Sequence, residues 1–454
     1  MGRLTALLLA TSAGLLVIAG VQRFLPEGGP RPGGAPAVAP QAAPAAPFAT
    51  GRPPVWSTTG AAVGRLQARL RQQPEDAAAY AQLAALYLQQ ARETGDPTAY
   101  PRAEGALQEA ARRTPDDPLV AVLSGTLQLA RHDFAAALAS GERAVALAPR
   151  SSAGYGVAGD AALELGRYDA AIEAFQTMVD LRPDLTSYSR VAYARELYGD
   201  LPGATEAMQR AVSSGAPLSE GTNWARVQLG NLLLAQGDLD GADNQYGLAL
   251  RALPDYVHAL AGQGRVAAAR GNLGQAIERT ARAQELVPLP EFAIALGDYY
   301  RAGGDAAGAA RQDDLVRVIA RLQEGNGMDV DLEMAIFEAD RATPGDGAAL
   351  DGAVERARAT YARRPSVTAA DALAWTLYRA GRPDEALPYA RESLRLGSHD
   401  PQVLFHAGAV ALAGGAPDEG RALLAAATAV TPEFSVRYAP EARRLLATTA
   451  GGTD

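Results

Sequence analysis

The sequence predicts an all-α fold, a solenoid of about ten stacked helix pairs, on three observations. Prolines stand at Pro115, Pro149 and Pro183, 34 residues apart, and again at Pro254 and Pro288. Upstream of each lie two amphipathic helical patterns joined by a short turn. Within each unit, small residues recur in step and a glycine recurs between the helices. The chain of 454 residues is too long for one hydrophobic core, and such an array removes that difficulty because each unit packs only on its neighbours.

The first element, residues 1–23, is expected to be a signal anchor or a signal peptide. Arg3 precedes an uncharged, mostly apolar run from Leu4 to Val21, near the minimum for a spanning helix and longer than a typical signal-peptide core. The best small pair for cleavage, Val17 with Ala19, is mediocre, so the uncleaved anchor is the preferred reading. The slight excess of positive charge at the start places the N-terminus in the cytoplasm and the remainder on the extracytoplasmic side, periplasmic or extracellular. Cleavage would instead make the chain secreted. Residues 24–56, rich in proline, alanine and glycine, cannot bury enough apolar area to order themselves and read as a disordered stalk.

The repeats follow. The third is the cleanest, with Tyr155, Ala158 and Gly159, the turn Gly166-Arg167-Tyr168-Asp169, then Ala171, Phe175 and Pro183. In register with it, one small position of the first helix reads Ala84, Gly125, Gly159, Ala192, Gly230, Gly264, Gly297, Ala374 and Gly408. One small position of the second helix reads Ala103, Ala137, Ala171, Ala204, Ala242, Ala276, Ala309, Ala353, Ala386 and Gly420. The turn glycines are Gly166, Gly199, Gly237, Gly271, Gly304, Gly381 and Gly415. These residue types have physical reasons. Helices that cross closely tolerate only small side chains, glycine ends a helix in a left-handed conformation, and proline stops the next one. This pattern resembles the tetratricopeptide repeat (TPR) of bacterial membrane-anchored or exported proteins. The resemblance implies a right-handed α-solenoid over roughly Ser57 to Ala450, with a leading helix (63–70) and a closing helix (441–449).

Departures from the period are informative. About seven extra residues lie between the helices of the first repeat, around Arg92-Glu93-Thr94-Gly95-Asp96. The seventh lacks its proline, so its second helix runs on to Arg321-Leu322, and Gln323 to Gly327 break the array. The eighth has a lengthened turn from Thr343 to Gly347. An irregular kink over 322–346 is therefore expected to separate an N-terminal stack, 57–321, from a C-terminal stack, 347–450.

Composition excludes much chemistry. Cysteine and lysine are both absent, which removes disulfides, thiolate nucleophiles, Cys-bound zinc or iron–sulfur clusters, the Walker lysine and Schiff-base lysines. A net charge of -9 offers no basic footprint, so no nucleic-acid partner is expected. Gly154-Tyr155-Gly156-Val157-Ala158-Gly159 spells the dinucleotide fingerprint, but a helical repeat precedes it where a strand is required. His132, His258, His399 and His406 are scattered. Asp329, Asp331 and Glu333 suit a helix N-terminus better than a metal. No cofactor, metal or catalytic residue is predicted.

In TPR proteins the first helix of each repeat lines the concave groove. The resemblance carries one inward row onto Asp160, Tyr193, Asn231, Arg265, Asp298 and Trp375. Trp224, His258, Arg190, Glu196, Arg301 and Tyr378 flank it. Aromatic side chains interleaved with an amide and arginines suit a protein or peptide partner. The bland alternative is that the polar members are merely solvated and Trp224 packs against a neighbouring repeat. Three functions stay open: a membrane-tethered scaffold binding partners in its groove, a self-association module within an envelope or secretion complex, and an enzyme with its site at the kink. The first is preferred.

Overall fold

The computed structural model describes residues 55–343 and 347–450. The expected N-terminal membrane helix and most of the stalk lie outside the described residues, as do positions 344–346 of the long turn in the eighth repeat. Among the described residues the chain forms 22 helices and no strand, and no helix is long and apolar enough to cross a membrane.

A leading helix α1 (Val55–Gln72) precedes ten pairs. They are α2 (Ala77–Thr94) with α3 (Ala99–Arg113), α4 (Pro118–Ala130) with α5 (Phe134–Leu147), α6 (Ser152–Glu164) with α7 (Tyr168–Leu181), and α8 (Leu185–Leu197) with α9 (Leu201–Ser214). Next come α10 (Glu220–Ala235) with α11 (Leu239–Ala252), α12 (Val257–Ala269) with α13 (Leu273–Leu286), and α14 (Pro290–Ala302) with α15 (Ala306–Gly325). The last three are α16 (Asp331–Arg341) with α17 (Gly347–Arg363), α18 (Val367–Arg379) with α19 (Pro383–Ser393), and α20 (Pro401–Ala413) with α21 (Pro417–Ala429). Helix α22 (Tyr438–Ala450) closes the array. Residues 331–341, assigned from sequence to an irregular segment, form the inner helix of the eighth pair. The extra residues of the first repeat mostly lengthen α2, which has 18 residues where α4 has 13.

From the fourth to the seventh repeat, the turn within the pair follows from two adjacent residues. Gly199, Gly237, Gly271 and Gly304 adopt φ of 74°, 81°, 76° and 82°, a region costly for residues with a Cβ. The next residue then caps the second helix: the Asp200, Asp238, Asn272 and Asp305 side chains accept from the backbone N–H of Gly203, Gly241, Gln275 and Gly308. In the second repeat His132 holds the left-handed position, with φ 61°.

The small residues sit where helices cross. A Cβ on Gly159 would lie 2.5 Å from the Phe175 ring, one on Gly230 2.5 Å from Tyr246, and one on Gly264 2.3 Å from the Thr280 hydroxyl. Their alanine counterparts in the second helices, from Ala103 to Ala386, are buried.

The ribbon winds until its edges meet. The turn inside repeat n packs against the loop that follows repeat n+5. Gly95 abuts Val287 and Leu289, Gly166 the Pro365 carbonyl, Gly199 the Gly397 carbonyl, and Gly237 the Val430 carbonyl. Between Gly95 and Gly166 in this series, Asp329 N–H donates to the Arg131 carbonyl at 2.9 Å, and His132 Nδ1 lies 2.7 Å from the Asp329 carbonyl. Farther along, Val367 N–H donates to the Tyr168 hydroxyl at 2.8 Å. Helices α15 and α16 make fewer close backbone approaches than any other consecutive pair and meet through side chains instead, Arg317 with Glu338, Arg341 with Asp313, and Val316 and Ala320 in one cluster with Met334 and Phe337. The break in period therefore lies at 326–330. The loops keep the same five-repeat offset on both sides of that break.

Candidate binding surface

The winding decides the fate of the inward row. Arg190, fully buried, meets Asp160 through two hydrogen bonds, Nε to Oδ1 at 2.9 Å and Nη2 to Oδ2 at 2.6 Å, and donates a third to the Thr186 carbonyl. This bidentate geometry satisfies both ions away from water. Tyr193 reaches Glu164, whose other carboxylate oxygen lies 3.4 Å from Arg364 of the second winding. Glu196 faces Asp400 across the junction. Burial, reinforced by that neighbouring carboxylate, pushes its carboxyl up to about 8.

Farther along, Asn231 accepts from the Tyr246 hydroxyl at 2.7 Å and bonds to Arg265, and its amide donates to Gln228. These side chains are thus engaged with one another. Trp224 is buried beside Leu185, Met208 and Leu229 between the fourth and fifth repeats. Trp375 is buried too. Its ring stacks on His406 at 4.0 Å, Tyr378 flanks it, and its N–H donates to Asp340 at 2.8 Å. Asp298 pairs with Arg341 at 2.9 Å, which also binds Asp313. His258 lies between Tyr256 and Phe292, and burial pushes its imidazole down to about 4. Of the twelve, only Arg301 is substantially exposed, and it still contacts Asp313 and Asp298.

The expectation of exposed aromatics along a free inner wall is therefore corrected. Repeat position correctly aimed these side chains inward. Their pairing comes mostly from the neighbouring repeat, as Asp160 with Arg190 and Asn231 with Arg265, which no single repeat records. The acidic cluster likewise serves structure: Asp329 and Asp331 hold Arg363, and Asp331 opens α16. Sequence reading missed the largest exposed apolar side chains, Ile172, Leu181, Leu218, Val318, Leu322 and Val430. Val318 and Leu322 stand one helical turn apart on the overlong α15, and the missing proline of the seventh repeat was the signal that could have pointed there.

Comparison with known proteins agrees with the helix-pair geometry. The family described as tetratricopeptide repeat matches residues 122–202, 157–219, 227–289 and 372–433. Tetratricopeptide repeat protein 36 of Mus musculus is 36% identical over 91 residues, 20% of this chain and 49% of that protein. The match thus spans about half of that relative's length. Among solved structures, PilW, a widely conserved type IV pilus biogenesis factor, is 18% identical over 44% of this chain and 92% of its own, with a TM-score of 0.38. A thermophilic TPR protein of Thermus thermophilus is 25% identical over 37% of this chain and 89% of its own, with a TM-score of 0.34. Over the matched segments the chain is built of tetratricopeptide repeats.

Proposed function

We propose that the protein is a non-catalytic scaffold that binds partner proteins or peptides. In this reading it is tethered to a membrane by its N-terminal segment, with the array on the extracytoplasmic side. The apolar run from Leu4 to Val21 supports the tether. Proteins built of such repeats generally act as interaction scaffolds. The observation that carries the reading here is the combination of an inward row engaged mostly with its own chain and an outer surface that keeps large apolar side chains in water. Ile172 and Leu181 on α7, and Val318 with Leu322 on α15, are all more than a third exposed. The adjacent pair Val318 and Leu322 on a rigid ribbon suits docking.

The test is affinity capture from solubilised membranes, comparing the wild type with Val318→Glu/Leu322→Glu and with Asn231→Ala/Arg265→Ala. Loss of partners in the first variant and their retention in the second supports an outer docking surface. Equal recovery in all three overturns it. The tether is checked by fractionation: release of the full chain by alkaline carbonate would sink it.

The pair on α15 also favours a second reading, self-association. Sedimentation would show it as a concentration-dependent species abolished by Val318→Glu/Leu322→Glu.

A further inference from the structure

The seam between the windings leaves two further edges of the same kinds without a counterpart. Along the seam, the turns of the first to fifth repeats seat the loops that follow the sixth to tenth. The turns of the later repeats remain at one edge, and the loops of the earlier repeats at the other. Gly271, Gly304, Gly381 and Gly415 are exposed, and a Cβ on any of them meets nothing within 4 Å among the described residues. Loops 114–117, 148–151, 182–184, 215–219 and 253–256 contain no buried residue. The seated loops, by contrast, bury Val287, Ser366 and Thr431 beside Gly95, Gly166 and Gly237.

The seam contact is not tied to particular side chains. At Gly166, Gly199 and Gly237 the turn glycine faces a backbone carbonyl of the loop, from Pro365, Gly397 and Val430. Any loop of similar shape can offer one. The free loops share a shaping residue with the seated ones: proline is the second residue past the helix at Pro115, Pro149, Pro183 and Pro254, as at Pro288 and Pro365. Helices α1 and α22 pack on the end faces of the array, as capping elements of a solenoid do. They leave both edges bare.

We infer that these edges bind a second copy of this chain, the loop edge of one molecule seating on the turn edge of the next in the manner of the internal seam. The two edges are different surfaces, so the contact is head-to-tail. Each added molecule brings one free edge of each kind, and the assembly grows as an open filament instead of closing as a two-fold dimer. The contact uses neither Val318 nor Leu322, so it stands or falls apart from the docking surface on α15.

Sedimentation velocity of the solubilised full chain tests it with one edge blocked at a time. Gly274→Arg/Ala306→Arg blocks the turn edge and Ala216→Arg/Leu218→Arg the loop edge. All four positions are exposed, so the circular dichroism spectrum should stay unchanged. The wild type should show a series of species that lengthens with concentration. Each blocked variant alone should sediment as a monomer, and an equal mixture of the two should stop at dimers, through the one edge that each keeps. Val318→Glu/Leu322→Glu should assemble as the wild type does. A wild type that stays monomeric or stops at a dimer would overturn the inference. So would assembly surviving in either blocked variant, a mixture that forms no dimer, or loss of assembly in Val318→Glu/Leu322→Glu.

Discussion

The turns of the fourth and fifth repeats and those of the sixth and seventh are built alike and surrounded differently. Gly199 and Gly304 have φ of 74° and 82°, and each is followed by an aspartate that caps the next helix. A Cβ on Gly199 would lie 2.2 Å from the Gly397 carbonyl, whereas one on Gly304 meets nothing within 4 Å among the described residues. Gly271, Gly381 and Gly415 are equally open. The repeat thus makes the turn, and the winding decides whether that turn becomes an interface. One glycine serves two purposes in the first group and one in the second.

Substitutions can break this comparison. The largest effect is expected inside the covered half. Asp160→Ala strands the Arg190 guanidinium in the interior and should cost about 3–5 kcal/mol in chemical denaturation. A loss below about 1 kcal/mol would mean that water reaches the pair. Gly199→Ala should come next. It incurs the left-handed penalty of about 1–2 kcal/mol and adds overpacking of about 1–3 kcal/mol against Gly397. Gly304→Ala should show only the first contribution. Equal losses for the two glycines would mean that the windings part readily, and small-angle scattering would show the expansion. Arg301→Ala, which removes a half-exposed ion pair, should stay within about 1 kcal/mol.

The junction also makes a pH prediction. The Glu196 carboxyl, raised to about 8, stays protonated in the folded chain while an unfolded chain ionises it near 4.5. The unfolded state then binds fewer protons, so stability falls as pH rises from about 4.5 to 8 and levels off above. Glu196→Gln should flatten that part of the profile, read as Tm against pH. An unchanged slope would show that the carboxyl is solvated.

A second contrast runs along the inner wall. At the third and fourth repeats it is sealed by Asp160 with Arg190, and by Glu164 with Arg364 of the next winding. At the sixth to eighth, a cavity remains between the starts of α14 and α16, the end of α15 and the first repeat. The missing proline at the end of the seventh repeat marked this region in the sequence. Its consequence was not legible, because His132, His258, Glu291 and Glu333 lie far apart along the chain and converge only through the winding.

The sequence by itself determined everything with a short period. The 34-residue spacing, the glycine before an aspartate cap and the small residues at crossings each act within one or two neighbouring units, where local sterics and hydrogen bonding suffice. It also determined which face of each first helix points inward. Tertiary structure alone decided whether that face is free. The contact between the turn of one repeat and the loop five repeats on sums small rotations over the whole array, and no residue encodes the sum. That is why Glu196, placed inward by repeat position, proved to face Asp400 five repeats on, whereas Arg190 and Trp375 are buried by neighbouring repeats.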